Sequence, residues 1–172
     1  TLAGVLVRLS HDVTIDGVSI HDNGREGVKL LGSSDVEVVG STLTNNGLID
    51  IAAGQINTVT GGGNVINNGV IRKSGDTGLS TLVTTTFANN GTIDVQTGTI
   101  RLNNGFVNAG VLMGDGKFES GGAGLIHDGT VAPGSFGAGQ LDFTGNFGQG
   151  ATGILAIDLT SLASFDLLNV AG

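Results

Sequence analysis

The 172-residue chain has no Cys, no Trp, no Tyr, a single Pro, and only seven Lys and Arg residues. Without Cys there are no disulfides, metal thiolates or thiol nucleophiles, a state that fits either the cytosol or a cell exterior populated by repetitive proteins. Without Trp or Tyr the usual stacking platforms for sugars are missing. The seven aromatic residues, Phe87, Phe106, Phe118, Phe136, Phe143, Phe147 and Phe165, stand mostly at alternating positions that read as core.

A net charge of −8 and a pI near 4.4 speak against nucleic acid and anionic membrane surfaces, which attract Lys/Arg-rich faces. No apolar run approaches the roughly 18 residues that span a bilayer, so membrane insertion by this segment is not expected. The start Thr1-Leu2-Ala3-Gly4 has no basic region leading into an apolar stretch and no Met. A processed chain or a fragment is therefore expected.

What is abundant is Gly, 32 residues, in a chain that is still 39% hydrophobic. That apolar content is too high for a disordered linker, so Gly must act as punctuation. It does so at a fixed spacing. An apolar residue stands four before a Gly at Ile20–Gly24, Leu43–Gly47, Val65–Gly69, Phe87–Gly91, Phe106–Gly110 and Leu125–Gly129, steps of 23, 22, 22, 19 and 19 residues. Asn-Asn-Gly or a close relative fills the turn.

After five of the six Gly residues comes a β-prone pair: Leu48-Ile49, Val70-Ile71, Thr92-Ile93, Val111-Leu112 and Thr130-Val131. Period-2 alternation continues through Asp94-Val95 and reappears at Val36–Val38, Thr99–Leu102 and Leu141–Phe143, while helical spacing is nowhere sustained. Strands this short form no sheet alone. A step of 19–23 residues holds two or three of them plus tight turns in one coil, and stacked coils bury what a single coil cannot.

The expected fold is an all-β, single-stranded, right-handed parallel β-helix, or β-solenoid, of about 19–23 residues per coil. Ile49, Ile71, Ile93, Leu112 and Val131 would pile into one inward column. The turns would supply two Asn columns bonded from coil to coil, Asn45, Asn67, Asn89 and Asn108 beside Asn46, Asn68 and Asn90. Asn and Gly also suit the left-handed backbone of a sharp turn. One domain over residues 1–172 is expected, with regular coils over 1–130 and atypical C-terminal coils or a cap over 131–172. Beyond Gly129 the Gly-rich stretch Pro133–Gly139 leads into apolar strands at Leu141–Phe143, Ile154–Leu159 and Phe165–Val170.

Two segments carry resemblances. Val13–Gly47, with Ile15-Asp16-Gly17-Val18-Ser19-Ile20 and Val36-Glu37-Val38-Val39-Gly40-Ser41, resembles the pectate-lyase-type parallel β-helix repeat. Phe87–Gly172, with Val131-Ala132-Pro133-Gly134-Ser135, Gly139–Asn146, Leu155–Leu159 and Phe165–Val170, is similar to the passenger β-helix of bacterial autotransporters and haemagglutinin-like exoproteins. The resemblance implies a secreted or cell-surface bacterial setting. It also implies a structural or adhesive role shared with surface fibres, and a host-surface or glycan ligand.

Asp50 and Asp94 occupy equivalent places two coils apart with Arg72 between, which suits either a glycan-cleaving pair or an outward charge ladder. The ladder is preferred, because the paired-Asp and Gly-His-Gly patterns of pectin hydrolases are absent. His11, His21 and His127 read as solvated turn residues, and no Gly-x-Ser-x-Gly elbow is present. Gly61-Gly62-Gly63-Asn64 lacks the carboxylate of a calcium nonapeptide, leaving at most weak calcium binding. Gly114-Asp115-Gly116-Lys117 and Gly121-Gly122-Ala123-Gly124 are too generic for phosphate loops.

The expectation is thus no catalytic, metal or cofactor site, and a stalk that self-associates or joins neighbouring coils of a longer chain. Fibres would follow from head-to-tail contact of open ends. The alternative is a polysaccharide lyase, glycoside hydrolase or phage-type depolymerase fragment.

Overall fold

In the computed structural model the described residues are 5–8, 13–16, 28–31, 36–39, 42–51, 64–82, 86–102, 106–120 and 125–172, with side chains described from Leu43 onward except that of Ile126. They form no helix, hence none long and apolar enough to cross a membrane. Short strands stack in parallel into an eight-stranded, a six-stranded and a five-stranded sheet. From Asn64 onward the chain visits the six-stranded, the eight-stranded and the five-stranded sheet in turn, so each coil there contributes one strand to each face of a parallel solenoid, whereas Val13–Asp16 and Val36–Val39 pair in a two-stranded sheet of their own.

The alternation that marks the sequence sets which side chains enter. Through the eight-stranded sheet, Ile49, Ile71, Ile93, Leu112, Val131 and Leu155 stand in register. The first five of them are buried. In the six-stranded sheet Leu43, Val65, Phe87 and Phe106 align, and in the five-stranded sheet Ile100, Phe118 and Phe143 do. Each added coil sits about 4.8 Å from the last, so inward side chains meet at van der Waals contact and form one continuous core.

The aromatic residues divide. Phe87, Phe118 and Phe143 are core, and Phe106 and Phe147 pack against it, but Phe136 is 93% exposed and Phe165 is 48% exposed. The core reading thus holds for five of the seven, and Phe136 and Phe165 depart from it. Phe136 sits in the turn Gly134–Gly139, where no strand alternation operates, and Phe165 lies in a projecting hairpin. That hairpin also interrupts the expected long strands. Ile154–Leu155 and Leu159–Ser161 are separate, as are Ser164–Phe165 and Leu167–Ala171, and Leu159–Ser161 pairs antiparallel with Ser164–Phe165.

The change of step from 22 to 19 also has a structural cause. The corner between the eight- and five-stranded sheets shortens from the five residues Ser74–Gly78, between strands Val70–Lys73 and Leu79–Leu82, to the three Gln96–Gly98, between Thr92–Val95 and Thr99–Leu102, and the third residue is lost between the paired positions Leu82/Leu102 and Phe87/Phe106. The corner between the eight- and five-stranded sheets then widens, through Gly134–Gly139, to the hairpin between Leu155 and Leu167. Beyond the hairpin, Leu167–Ala171 rejoins the five-stranded sheet, while the hairpin strands Leu159–Ser161 and Ser164–Phe165 pair only with each other.

Lys73, like Ser80 in the column of Ile100, departs from apolar filling. It stands in register with Ile51 and Val95 and is fully buried, its ammonium donating to Asp76 Oδ1 at 2.5 Å and to Ser80 Oγ at 3.2 Å. Burial of an ammonium is costly unless it is paired and bonded, and this clip across the Ser74–Gly78 corner supplies both.

Candidate functional site

Two regions carry the polar chemistry of the described residues: the Asn-Gly corner and the widened corner on the other side of the eight-stranded sheet. At the Asn-Gly corner, Asn45, Asn67, Asn89 and Asn108 point inward and are buried. Each of the first three donates from Nδ2 to the Oδ1 of the next, at 2.7 Å in every case. The outer column runs the other way. Asn68 Nδ2 donates to Asn46 Oδ1, and Asn90 Nδ2 to Asn68 Oδ1, both at 3.0 Å and both exposed.

Backbone bonds lock the same corner. The Asn67 carbonyl accepts from the N–H groups of both Asn90 and Gly91, and the Asn45 and Asn89 carbonyls do the same for the pairs Asn68/Gly69 and Ala109/Gly110. Gly at the end of the turn is explained by this stacking and not by a left-handed backbone. Positive φ occurs at Gly98, Gly114, Gly134, Gly137 and Gly145, whereas a Cβ on Gly69, Gly91, Gly110 or Gly129 would fall on the carbonyl oxygen of the equivalent Gly one coil earlier. Close approach of two backbones leaves no room for a side chain there.

The inner column continues past Asn108 to His127 and Gln149 in register. His127 lies in the strand Leu125–His127, is 1% exposed, and packs its ring 5.0 Å from that of Phe147. A solvated turn histidine is thus ruled out at this position, because the residue fills an inward Asn slot. Neither ring nitrogen has a hydrogen-bond partner. Burial lowers its pKa, outweighing the Gly129 backbone and the neighbouring Asp128 carboxylate, which pull the other way. His11 and His21 lie outside the described residues.

The sign of the resulting pH effect follows directly. A base whose folded pKa is depressed binds a proton more readily when unfolded, so its contribution is intact above the ordinary value near 6.5 and is lost as pH falls below it. Thermal unfolding at pH 7.5 and 5.5 should show a loss of stability on the acid side that His127→Asn, which returns an amide to the column, removes. An unchanged pH dependence in that variant would contradict the assignment.

At the second corner the turn Gly134–Gly139 folds back along the solenoid. Gly134 bridges Gly114, the Ser135 N–H donates to Asp115 Oδ2 at 3.2 Å, and the Ser135 hydroxyl reaches Asp94 Oδ1 at 2.8 Å. Between this turn and the hairpin lies a cleft of about 180 Å³ lined by the apolar Met113, Ala132 and Ala156 and the polar Ser135, Asp158 and Asp166. Asp166 is buried, and its two oxygens accept the N–H groups of Gly139 and Asp158, so its carboxylate ties the hairpin to the turn.

Asp50, Arg72 and Asp94 stand in register on adjacent coils. Arg72 clasps Asp50 with two bonds, Nε to Oδ1 at 3.2 Å and Nη2 to Oδ2 at 2.5 Å, and the Ser74 hydroxyl adds a third at 2.8 Å. Asp94 accepts instead from Gln96 and Ser135. The preferred salt-bridged ladder thus holds for Asp50 and Arg72, while Asp94 is bonded to neutral donors, and both carboxylates are largely buried, at 9% and 8% exposure. In the Gly114–Lys117 corner, Asp115 positions Ser135. Gly61–Gly63 and Gly121–Gly124 lie outside the described residues. Among the described residues no three His, Cys, Asp or Glu side chains stand together as metal ligands.

Comparison with known families gives one match, to the right-handed β-helix region, over residues 2–147. The chain belongs to the right-handed β-helix family. No curated protein and no solved structure matches it. Handedness and fold class are thereby settled together, and the β-helix accounts for both polar regions: the Asn-Gly corner is where one coil is bonded to the next, and the opposite corner is where a β-helix accommodates insertions without disturbing its sheets. Phe147, its ring tilted against that of Phe143 at 4.8 Å and close to that of His127, is the last residue of the matched region.

Proposed function

We propose that this β-helix is a structural or adhesive segment of a secreted or cell-surface bacterial protein, a stiff spacer that presents a host-surface or glycan-binding part. The supporting observation is the bonding from coil to coil. Three sheets, a buried Asn column and paired backbone donors at each Asn-Gly corner all run along the same axis. Such a stack resists bending and extension through many parallel bonds, each worth about 1 kcal/mol net. The polar groups that could serve chemistry are spent on holding turns: Asp94 on Ser135 and Gln96, Asp166 on Gly139 and Asp158.

A second reading, a polysaccharide lyase or glycoside hydrolase, draws on the cleft and its polar lining of Ser135, Asp158 and Asp166. A panel of acidic and neutral polysaccharides, followed for unsaturated or reducing ends, separates the two. The scaffold reading expects no turnover from the parent chain. Robust turnover that Asp94→Asn or Asp158→Asn abolishes would replace it with the enzymatic one.

A further inference from the structure

Asn68-Gly69 and Asn90-Gly91 belong to the dipeptide class in which Asn loses its amide most readily without an enzyme. The Gly nitrogen, once it has given up its proton, attacks the Asn side-chain carbon Cγ. A new C–N bond closes a five-membered succinimide, the Cγ–Nδ2 bond breaks, and ammonia leaves with a proton taken from water. Water then opens the ring at one of its two carbonyls, giving aspartate or isoaspartate, in which the main chain runs through the former side chain. Gly favours closure because no Cβ hinders its nitrogen and its backbone reaches the ring-closing shape. Both Asn are exposed in turns, so sequence and exposure alone mark them as reactive.

The stacked coils hold the reacting groups apart. The Gly69 N–H donates to the Asn45 carbonyl at 3.0 Å and the Gly91 N–H to the Asn67 carbonyl at 2.9 Å, so each attacking nitrogen is committed to the coil beneath. The amides it would attack are turned the same way, Asn68 Nδ2 to Asn46 Oδ1 and Asn90 Nδ2 to Asn68 Oδ1. Closing the ring means lifting Gly out of a place where even a Cβ would meet the carbonyl oxygen of the Gly one coil earlier.

The products do not fit back. An aspartate in place of Asn90 has no N–H for Asn68 Oδ1 and sets a carboxylate against it. Isoaspartate lengthens the main chain by a methylene at a corner packed backbone to backbone. The outer column does carry one native carboxylate, Asp128, and there the residue beneath is Ala109, which presents no side-chain oxygen.

We infer that Asn68 and Asn90 are modification sites gated by coil stacking: inert while the corner is bonded, they convert to aspartate or isoaspartate when it opens, and the conversion keeps it from closing again. The inference is independent of the scaffold reading, since an enzyme built on the same coils would have the same corner.

Peptide mapping by mass spectrometry, with isoaspartate resolved by chromatography, follows both sites in the folded chain and in urea at one mildly alkaline pH. Conversion should be at least about a hundredfold slower in the folded chain, because it waits on local opening. Asn89→Ala, which loosens the corner, should speed conversion at both sites in the folded chain and leave the rate in urea unchanged. Asn90→Asp should melt below Asn90→Ala at neutral pH, because only the carboxylate opposes Asn68 Oδ1. A smaller slowing on folding, no acceleration in Asn89→Ala, or Asn90→Asp as stable as Asn90→Ala would overturn the proposal.

Discussion

Gly91→Ala should destabilise the solenoid by about 3 kcal/mol or more, at the upper end of what overpacking costs. The added methyl would occupy the place of the Gly69 carbonyl oxygen, and the neighbouring atoms are backbone, namely Gly69 N and the Asn68 carbonyl carbon. Side chains can rotate away from a clash, whereas here two coils must move apart, lengthening the bonds that Asn90 and Gly91 donate to the Asn67 carbonyl. Gly78→Ala is the matched control, because its Cβ would meet only the flexible Asp76 carboxylate, at 3.3 Å. That change should stay within about 1 kcal/mol. Urea denaturation of the two variants checks the contrast, and equal losses would mean that Gly serves the turn's conformation and not the stacking.

Removing one inner amide should cost far more than removing the outer one beside it. Asn89→Ala takes away the acceptor for Asn67 and the donor to Asn108 and leaves buried polar groups unpaired, at about 1–3 kcal/mol each. A fall in melting temperature of about 6–12 °C is expected for a total near 3 kcal/mol. Asn90→Ala removes only exposed bonds that water can replace, and should cost less than about 1 kcal/mol. Similar losses in the two variants would show that the ladder stabilises through turn propensity alone.

The legible parts of this fold were those in which every coil repeats the same chemistry. Ile49, Ile71, Ile93, Leu112 and Val131 announce an inward column because each follows its turn at the same offset, and their register is observed. Where a residue contradicts its slot, composition misleads. Lys73 falls on an inward position by strict alternation from Ile71, but an ammonium reads as outward until Asp76 and Ser80 are seen to receive it. His127 likewise holds the place of Asn89 and Asn108 two before the Gly, a signal present in the aligned turns, yet the adjoining Asp128 and Gly129 suggest a solvated bend.

The second corner was hidden for a different reason. Gly134–Gly139 and the hairpin are set by contacts between distant residues, Ser135 with Asp94 and Asp166 with Gly139, and no local periodicity encodes them. Phe136 and Phe165 were misplaced on that account. The role of Gly in the Asn-Gly turn was also misread, since a contact between coils and a left-handed φ both favour the same residue.

Backbone amide hydrogen exchange at the Asn-Gly corners tests the central claim most directly, that each turn is bonded to the turn beneath it. Surface turns ordinarily exchange fast, but Asn68, Gly69, Asn90, Gly91, Ala109 and Gly110 each donate to a carbonyl one coil earlier. Protection of these six amides comparable to that of Ile71 and Ile93 in the core strands is the predicted result. Rapid exchange at the six, with only the strands protected, would contradict it.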